Sequence, residues 1–398
     1  MSQQRTGANT VGANMLGGMD ADHFLSQYWQ KKPLLIRNAL NSPPVLSADE
    51  LAGLALEETI ESRLVLENPL AKSWSLETGP FDEKTLQSLP ARHWTLLVQA
   101  VDQWLPEIHG LLDHFDFLPR WRLDDIMISL SADGGSVGPH FDNYDVFLLQ
   151  TQGNKRWRIG QHCEANTRLA EDSPLRLLAD FQPRAEYLLE PGDMLYLPPN
   201  LAHWGIAEGL SMTCSIGFRG PTTVEALDEL VCELLAAGPA SGDRAYTDPP
   251  LSTGFAGGEI TPAFIDSLQK MLLELLTDRQ RLGQWFARYM TTRKYPELEL
   301  LAKGEHPPDW RLALSQGGRL CWHPASRCAL LPAALNRGES CLVADGELYP
   351  GTPRLGEILC TRRYLAQSDL LALDSEEEGV LNHLVGQGSL ILDDHDAR

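Results

Sequence analysis

Between Arg63 and Phe218 the chain repeats one local pattern, and that pattern limits the folds open to it. Short apolar and β-branched runs (RLVLE, DIMISLS, YDVFLLQ, KRWRIG, AEYLL, DMLYLP and MTCSIGF) alternate with glycine, proline, asparagine and aspartate turn signals. Many short strands at this spacing predict a sandwich or barrel of jelly-roll type. The predicted fold class is therefore mainly β with added α.

The flanks have a different texture. Ala21 to Trp29 reads as a short helix and PLLIR (Pro33 to Arg37) as a strand. Ser47 to Glu50 is a capping box opening a helix that runs to about Glu57. After the strand-rich stretch, Thr222 to Ala237 has helical periodicity with a capping box from Thr222 to Glu225. ITPAFIDSLQKMLLELL and RQRLGQWFARYM continue as amphipathic helices. From about Pro307 the chain mixes strands near RLCWH, CALLP and SCLVADG with helices, the last capped by Ser375 to Glu378, and ends in the strand SLILDD. Four segments follow: a flexible leader over 1–20, a barrel over 21–221, a helical region over 222–300 suited to a homodimer interface or to a second packed domain, and a small α+β unit over 301–398 resembling a winged helix.

Charge and cysteine content exclude some functions. The formal net charge is −21, a field that repels nucleic acid and anionic membrane surfaces and favours basic partners. The winged-helix-like unit, counted from Leu301, has nine Lys/Arg against fourteen Asp/Glu, which argues against DNA binding. Seven cysteines lie singly, without a CxxC pair. This predicts reduced thiols in a cytoplasmic protein, and CWHPASRC (Cys321 to Cys328) lacks zinc-ligand pairing. The leader has no apolar core of a signal peptide, and no run is long enough to span a bilayer.

The chemistry concentrates in GPHFDNYDVFLLQTQGNKRW, from Gly138 to Trp157. On a strand, residues two apart face the same side, so His140 and Asp142 are expected to point together into the barrel. PGDMLYLPPNLAHWG, a turn, a strand and a proline-set loop, presents His203 as a third ligand. Two histidines and a carboxylate form the facial triad of non-haem Fe(II), although Mn, Ni and Zn accept the same donors. Lys155 follows one strand later. A lysine inside a barrel is costly unless it meets an anion, and a dicarboxylate co-substrate would be that anion. Asp125, Met127 and Ser129 alternate on one face of DDIMISLS, where Ser129 can donate to the same carboxylate.

These stretches resemble the JmjC oxygenases, 2-oxoglutarate-dependent Fe(II) enzymes on a double-stranded β-helix. The likeness is nearer to the bacterial ribosomal oxygenases among them, which hydroxylate an arginine of protein sixteen of the large ribosomal subunit. It is carried by YWQKKPLLIRNAL, SADELAGLALE, WTLLVQAVDQW, WRLDDIMISLSADGGSVGPHFDNYDVFLLQTQGNKRWRIG, LEPGDMLYLPPNLAHWG and SIGFRGP, spread over residues 21–221. The resemblance implies His140, Asp142 and His203 as catalytic Fe(II) ligands and Lys155 with Ser129 as binders of the 2-oxoglutarate C5 carboxylate. It also implies O2 as the second co-substrate and oxidation at the arginine β-carbon. Arginine can stand at the Lys155 position in such enzymes, with a bidentate fork that lysine lacks.

A guanidinium brought near iron needs carboxylates or aromatic faces to replace its water. Asp125 and Tyr144 suit that need, and Ser215 is a further acceptor. The resemblance places all three at the substrate arginine. The plainer alternatives are a turn acceptor for Asp125 and rim packing for Tyr144. Trp157 and Phe147 are assigned to the core, and Asp145 to a supporting or surface place. Two other functions share these motifs: hydroxylation of histidine or demethylation of lysine, and a barrel that binds metal without catalysis. The pairing of Asp125 with Tyr144 favours a cationic substrate. A degenerate barrel would be expected to have lost a ligand or Lys155.

Overall fold

The computed structural model describes residues 15–236, 245–251, 258–301 and 309–393, which fall into two compact units meeting at Gly220 and Pro221. The first unit holds nine strands: β1 (Leu34–Ile36), β2 (Ser62–Asn68), β3 (Ser73–Thr78), β4 (Trp94–Val98), β5 (Leu123–Ser131), β6 (Asp145–His162), β7 (Ala185–Leu189), β8 (Met194–Leu197) and β9 (Leu201–Phe218). They form one antiparallel sheet in the order β1-β8-β6-β9-β5-β4-β2-β3, with β7 also on β6.

Two long strands make this sheet a barrel. β6 and β9 are 18 residues each and pair along their whole length, but their register shifts between Gln150 and Asn154. A bulge of this kind bends a strand and adds twist. Gly153 sits there with φ +58, where a Cβ would lie 2.0 Å from the Leu210 carbonyl oxygen, so a side chain cannot be accommodated. Beyond the bend the two halves of β6 take different partners, β8 before it and β7 after it. Val146 and Leu148 from one half meet Trp157 and Ile159 from the other in a single cluster with Leu189, Leu195 and Leu197. The sheet therefore closes over its own inner face.

The outer face alternates with the inner one. Ile126, Ile128 and Leu130 of β5, Phe147 and Leu149 of β6, and Cys214, Ile216 and Phe218 of β9 pack outward into the largest core. Phe24 of the helix Ala21–Gln27, Leu51 of the helix Ala48–Leu54, and Ile108 to Leu118 cover them. Asp145 is wholly buried beneath this layer and accepts from Tyr196 Oη at 2.7 Å, Gln30 Nε2 at 3.0 Å and Arg122 at 3.2 Å. It is thus a support inside the fold, and not a surface residue.

Several expectations shift by a few residues. The leader expected over 1–20 lies outside the described residues up to 14. Met15 and Leu16 are buried in the main core, and Asp20 caps the first helix, so 15–20 is packed chain. YDVFLLQ and KRWRIG form one strand, because the residues between them make a bulge and not a turn. β3 lies outside every run singled out as a strand: Trp74 and Leu76 do alternate with polar residues, but the run is short and all its side chains are exposed or half-buried.

The second unit carries the helices Thr223–Ala236, Pro262–Thr277 and Arg279–Thr291. Thr222 and Glu225 exchange the expected capping-box bonds. Two three-stranded sheets follow. One sets Arg319–Trp322 between Tyr364–Leu365 and Leu390–Asp393; the other joins Cys328–Leu331, Cys341–Ala344 and Glu347–Tyr349. Ala287 of the helix Arg279–Thr291 packs with Leu331, Cys341 and Val343, so no packing boundary falls at 300/301. The last helix is capped by Asp374, one residue before Ser375, in a capping box with Glu377. No helix among the described residues is long and apolar enough to cross a membrane.

Candidate metal and co-substrate site

After β5 the chain makes a tight turn before β6. Ser136 Oγ ties it down by donating to the Gly205 carbonyl at 2.7 Å and accepting from Gly138 N and Trp204 Nε1, both at 2.9 Å. Gly138 adopts φ +78, and a Cβ there would lie 2.5 Å from Leu177. His140 and Asp142 follow, outside any regular strand. This corrects the expectation that a strand's alternation aligns them. An isolated bridge does so instead: His140 N donates to His203 O at 3.0 Å, and His203 N donates back at 2.8 Å. Asn200 N donates to the Asp142 carbonyl at 2.7 Å. The first residues of β9 thus hold the HxD segment in place.

The three ligand atoms lie within 4.8 Å of one another, the one such group of three among the described residues. Asp142 Oδ2 is 3.5 Å from His203 Nε2 and 3.9 Å from His140 Nε2. Each imidazole donates its other nitrogen to a backbone carbonyl. His140 Nδ1 is 2.9 Å from Gly138 O, and His203 Nδ1 is 2.9 Å from Leu201 O. That bond fixes the tautomer with a lone pair on Nε2, as metal-binding histidines require. Burial pushes His203 down to about 4, so its ring is neutral near pH 7. Two imidazoles and one carboxylate on one side suit Fe(II) and leave coordination positions open.

Lys155 of β6 is 5% exposed. Its ammonium reaches Ser129 Oγ of β5 at 3.3 Å and lies 5.4 Å from the centre of the Trp157 ring. Burial lowers it to about 8. A cation with one neutral hydrogen-bond partner is costly to hold in a protein interior. The arrangement fits an anion-binding pocket beside the three ligands.

The substrate-side candidates separate. Tyr144 is 44% exposed overall, but burial around its hydroxyl, with the negative charges of Asp142, Asp125 and Asp124 nearby, raises it well above a normal phenol. Asp125 is buried, and its Oδ2 accepts from Gln99 Nε2 at 2.7 Å and Ala100 N at 2.9 Å. It therefore serves as a backbone acceptor, with Ala100 held at φ +51. Ser215 is half-buried on the inner face of β9, opposite Met127. Phe147 and Trp157 are buried as expected. Sequence reasoning missed Asp124 beside Tyr144, although the DD pair was visible. It also missed the carbonyl anchors of Gly138 and Leu201, for which the sequence carries no signal.

A JmjC-domain family model matches residues 110–226, the segment that supplies all three ligands. The Escherichia coli ribosomal protein uL16 3-hydroxylase is 38% identical over 285 residues, 70% of this chain and 72% of that protein. A probable ribosomal oxygenase of Haemophilus influenzae is 34% identical over 308 residues, 74% of each. This chain belongs to the JmjC ribosomal oxygenases. An E. coli ribosomal oxygenase, YcfD, solved in complex with cobalt and 2-oxoglutarate, matches this one at a TM-score of 0.79 and 32% identity, over 94% of this chain and 98% of that one. Oxygenase chemistry is thus consistent with the ligand triangle and the buried cation described above.

Proposed function

We propose that the chain is an Fe(II)- and 2-oxoglutarate-dependent hydroxylase that modifies an arginine side chain of large-subunit ribosomal protein uL16, at the β-carbon. The observation that carries this reading is the triangle of His140, Asp142 and His203, with the buried ammonium of Lys155 held only by the neutral Ser129 hydroxyl among the described residues. When bound there, Fe(II) with 2-oxoglutarate couples oxidative decarboxylation, to succinate and carbon dioxide, with delivery of one atom of O2 to a C–H bond. His140 and His203 present fixed Nε2 lone pairs, and Asp142 supplies the charge. Lys155 and Ser129 hold the distal carboxylate, so the 2-oxo acid end is directed at the ligands. Tyr144, with the negative charges of Asp142, Asp125 and Asp124 nearby, replaces water on the incoming guanidinium. Ser215 adds an acceptor on the same inner face. The acidic chain steers a basic ribosomal protein toward this mouth, in the cytoplasm where ribosomes are assembled.

The test is succinate release from 2-oxoglutarate with Fe(II) and O2 in the presence of a uL16 arginine peptide. Release should require the arginine and fall sharply with a lysine in its place. Equal release with both peptides would discard the substrate.

Lys155 gives this reading a pH dependence. The site binds a dianion only with the ammonium charged, so affinity for 2-oxoglutarate should be constant below about pH 8. Above that it should fall, by as much as about tenfold per pH unit. Titration calorimetry from pH 6.5 to 9.5 checks this; a flat profile would remove Lys155 from the site.

The helix Thr223–Ala236 exposes Val224, Leu227, Val231 and Leu235, and the helix Pro262–Thr277 exposes Ile265, Leu268 and Leu272. Apolar stripes of this extent mark contact surfaces, and a second copy of the chain is their occupant in this reading. Leu227→Glu combined with Leu272→Glu should give a folded monomer by sedimentation. A dimer unchanged by both would place the interface elsewhere.

A further inference from the structure

Trp157 was read from the sequence as plain core, and the reaction above leaves it without a part. Its surroundings say more. The residue is 5% exposed, yet its Nε1 is buried with no hydrogen-bond acceptor among the described residues. Buried indole N–H groups usually find a partner, and leaving one unpaired is costly. The ring lies on the inner face of β6, two residues from Lys155 and paired across the sheet with Gly205. A Cβ on Gly205 would meet Cη2, Cζ3 and Cζ2 of the indole at 2.8 to 2.9 Å, so the benzo edge rests on bare backbone and occupies the room a side chain would take. The ring centre lies 5.4 Å from Lys155 Nζ and 5.8 Å from the His203 ring. Trp157 thus neighbours both the buried cation and one of the metal ligands.

We infer that the Trp157 indole N–H is a third donor to the distal carboxylate of 2-oxoglutarate, beside the Lys155 ammonium and the Ser129 hydroxyl. A carboxylate offers about four lone-pair directions, so one ammonium and one hydroxyl leave it room for another donor. The indole is rigid and donates only, so it adds geometric selection without adding charge. Its face also lies beside the ammonium and lowers the cost of that charge before the acid arrives. Trp157 is a positioning residue: it sets how the co-substrate is held and takes no part in bond changes.

The inference rests on the co-substrate reading of Lys155, and the test separates the two. Full-length protein labelled with 15N-tryptophan is loaded with Zn(II), and its indole N–H resonances are recorded. Trp157→Phe identifies the resonance to follow among the ten tryptophans. Saturating 2-oxoglutarate should move that resonance downfield and slow its exchange with water. 2-Oxobutyrate, which chelates the metal but lacks the distal carboxylate, should not. In calorimetry on the same Zn(II) protein, Trp157→Phe should weaken 2-oxoglutarate about tenfold and leave 2-oxobutyrate within about twofold. Binding of 2-oxoglutarate without a change at the Trp157 resonance would overturn the inference while keeping Lys155. Equal weakening of both acids would also overturn it, since that reports a packing defect. No binding by the wild-type protein would overturn the co-substrate reading as well.

Discussion

Lys155→Met should make the protein more stable and nearly inactive at once. Methionine fills about the same volume without a charge. The depression of Lys155 from 10.5 to about 8 corresponds to roughly 3 kcal/mol of unfavourable burial at 1.36 kcal/mol per unit. The sign follows from linkage. The lysine binds its proton less readily folded than unfolded, so the penalty is fully present below about pH 8 and fades as pH approaches 10.5. The gain from methionine should therefore appear at pH 7 as a higher melting temperature, and shrink by pH 10. The ligand-side loss runs the other way. Removing one member of a buried charge pair costs about 2–5 kcal/mol, so the KM for 2-oxoglutarate should rise by about a hundredfold or more. Lys155→Arg keeps the charge, and its fork can reach a carboxylate in bidentate fashion, so it should retain most of the affinity. A Lys155→Met protein with lower stability and normal KM would show that the ammonium is satisfied within the fold.

The second large effect is at the ligands. His140→Ala and Asp142→Ala should each reduce hydroxylation by more than about a hundredfold, since losing even the groups behind a metal ligand costs 10–100-fold. Stability should change little. Both side chains are about a quarter exposed and fill no core space, and substitutions at such places usually stay within about 0.5 kcal/mol. Metal binding followed by calorimetry should weaken in parallel with activity. His203→Ala is a poorer probe. His203 is buried and pairs with His140 through the backbone bridge, so a loss there would mix folding with chemistry.

Much of this site was legible in the chain before any coordinates. The β-type runs named the barrel, because alternation of inner and outer residues leaves its mark wherever one face meets a core. Ile126, Ile128 and Leu130 interleaved with Met127 and Ser129 are an instance. His140, Asp142 and His203 could be named because few combinations of ligands suit one ion. What stayed hidden depends on backbone geometry. The bridge that aligns His140 with His203, the carbonyls that anchor both rings, and the bulge near Gly153 that bends β6 arise from register between distant strands. Asp125 shows the same limit: its type suggested a guanidinium acceptor, but its added bonds to Gln99 and Ala100 come from a turn with no sequence signature and could not be foreseen. Trp157 read as core because it is large and apolar, and only its unsatisfied N–H separates it from its neighbours.

The central claim is that this site inserts one oxygen atom into an arginine of uL16. The most direct measurement is tandem mass spectrometry of uL16 incubated with the purified protein, Fe(II), 2-oxoglutarate and O2. The expected product is a single added oxygen on one arginine, localised to the β-carbon, and absent with Asp142→Ala. Succinate release with unmodified uL16, or oxygen found on histidine or lost with a methyl group from lysine, would contradict it.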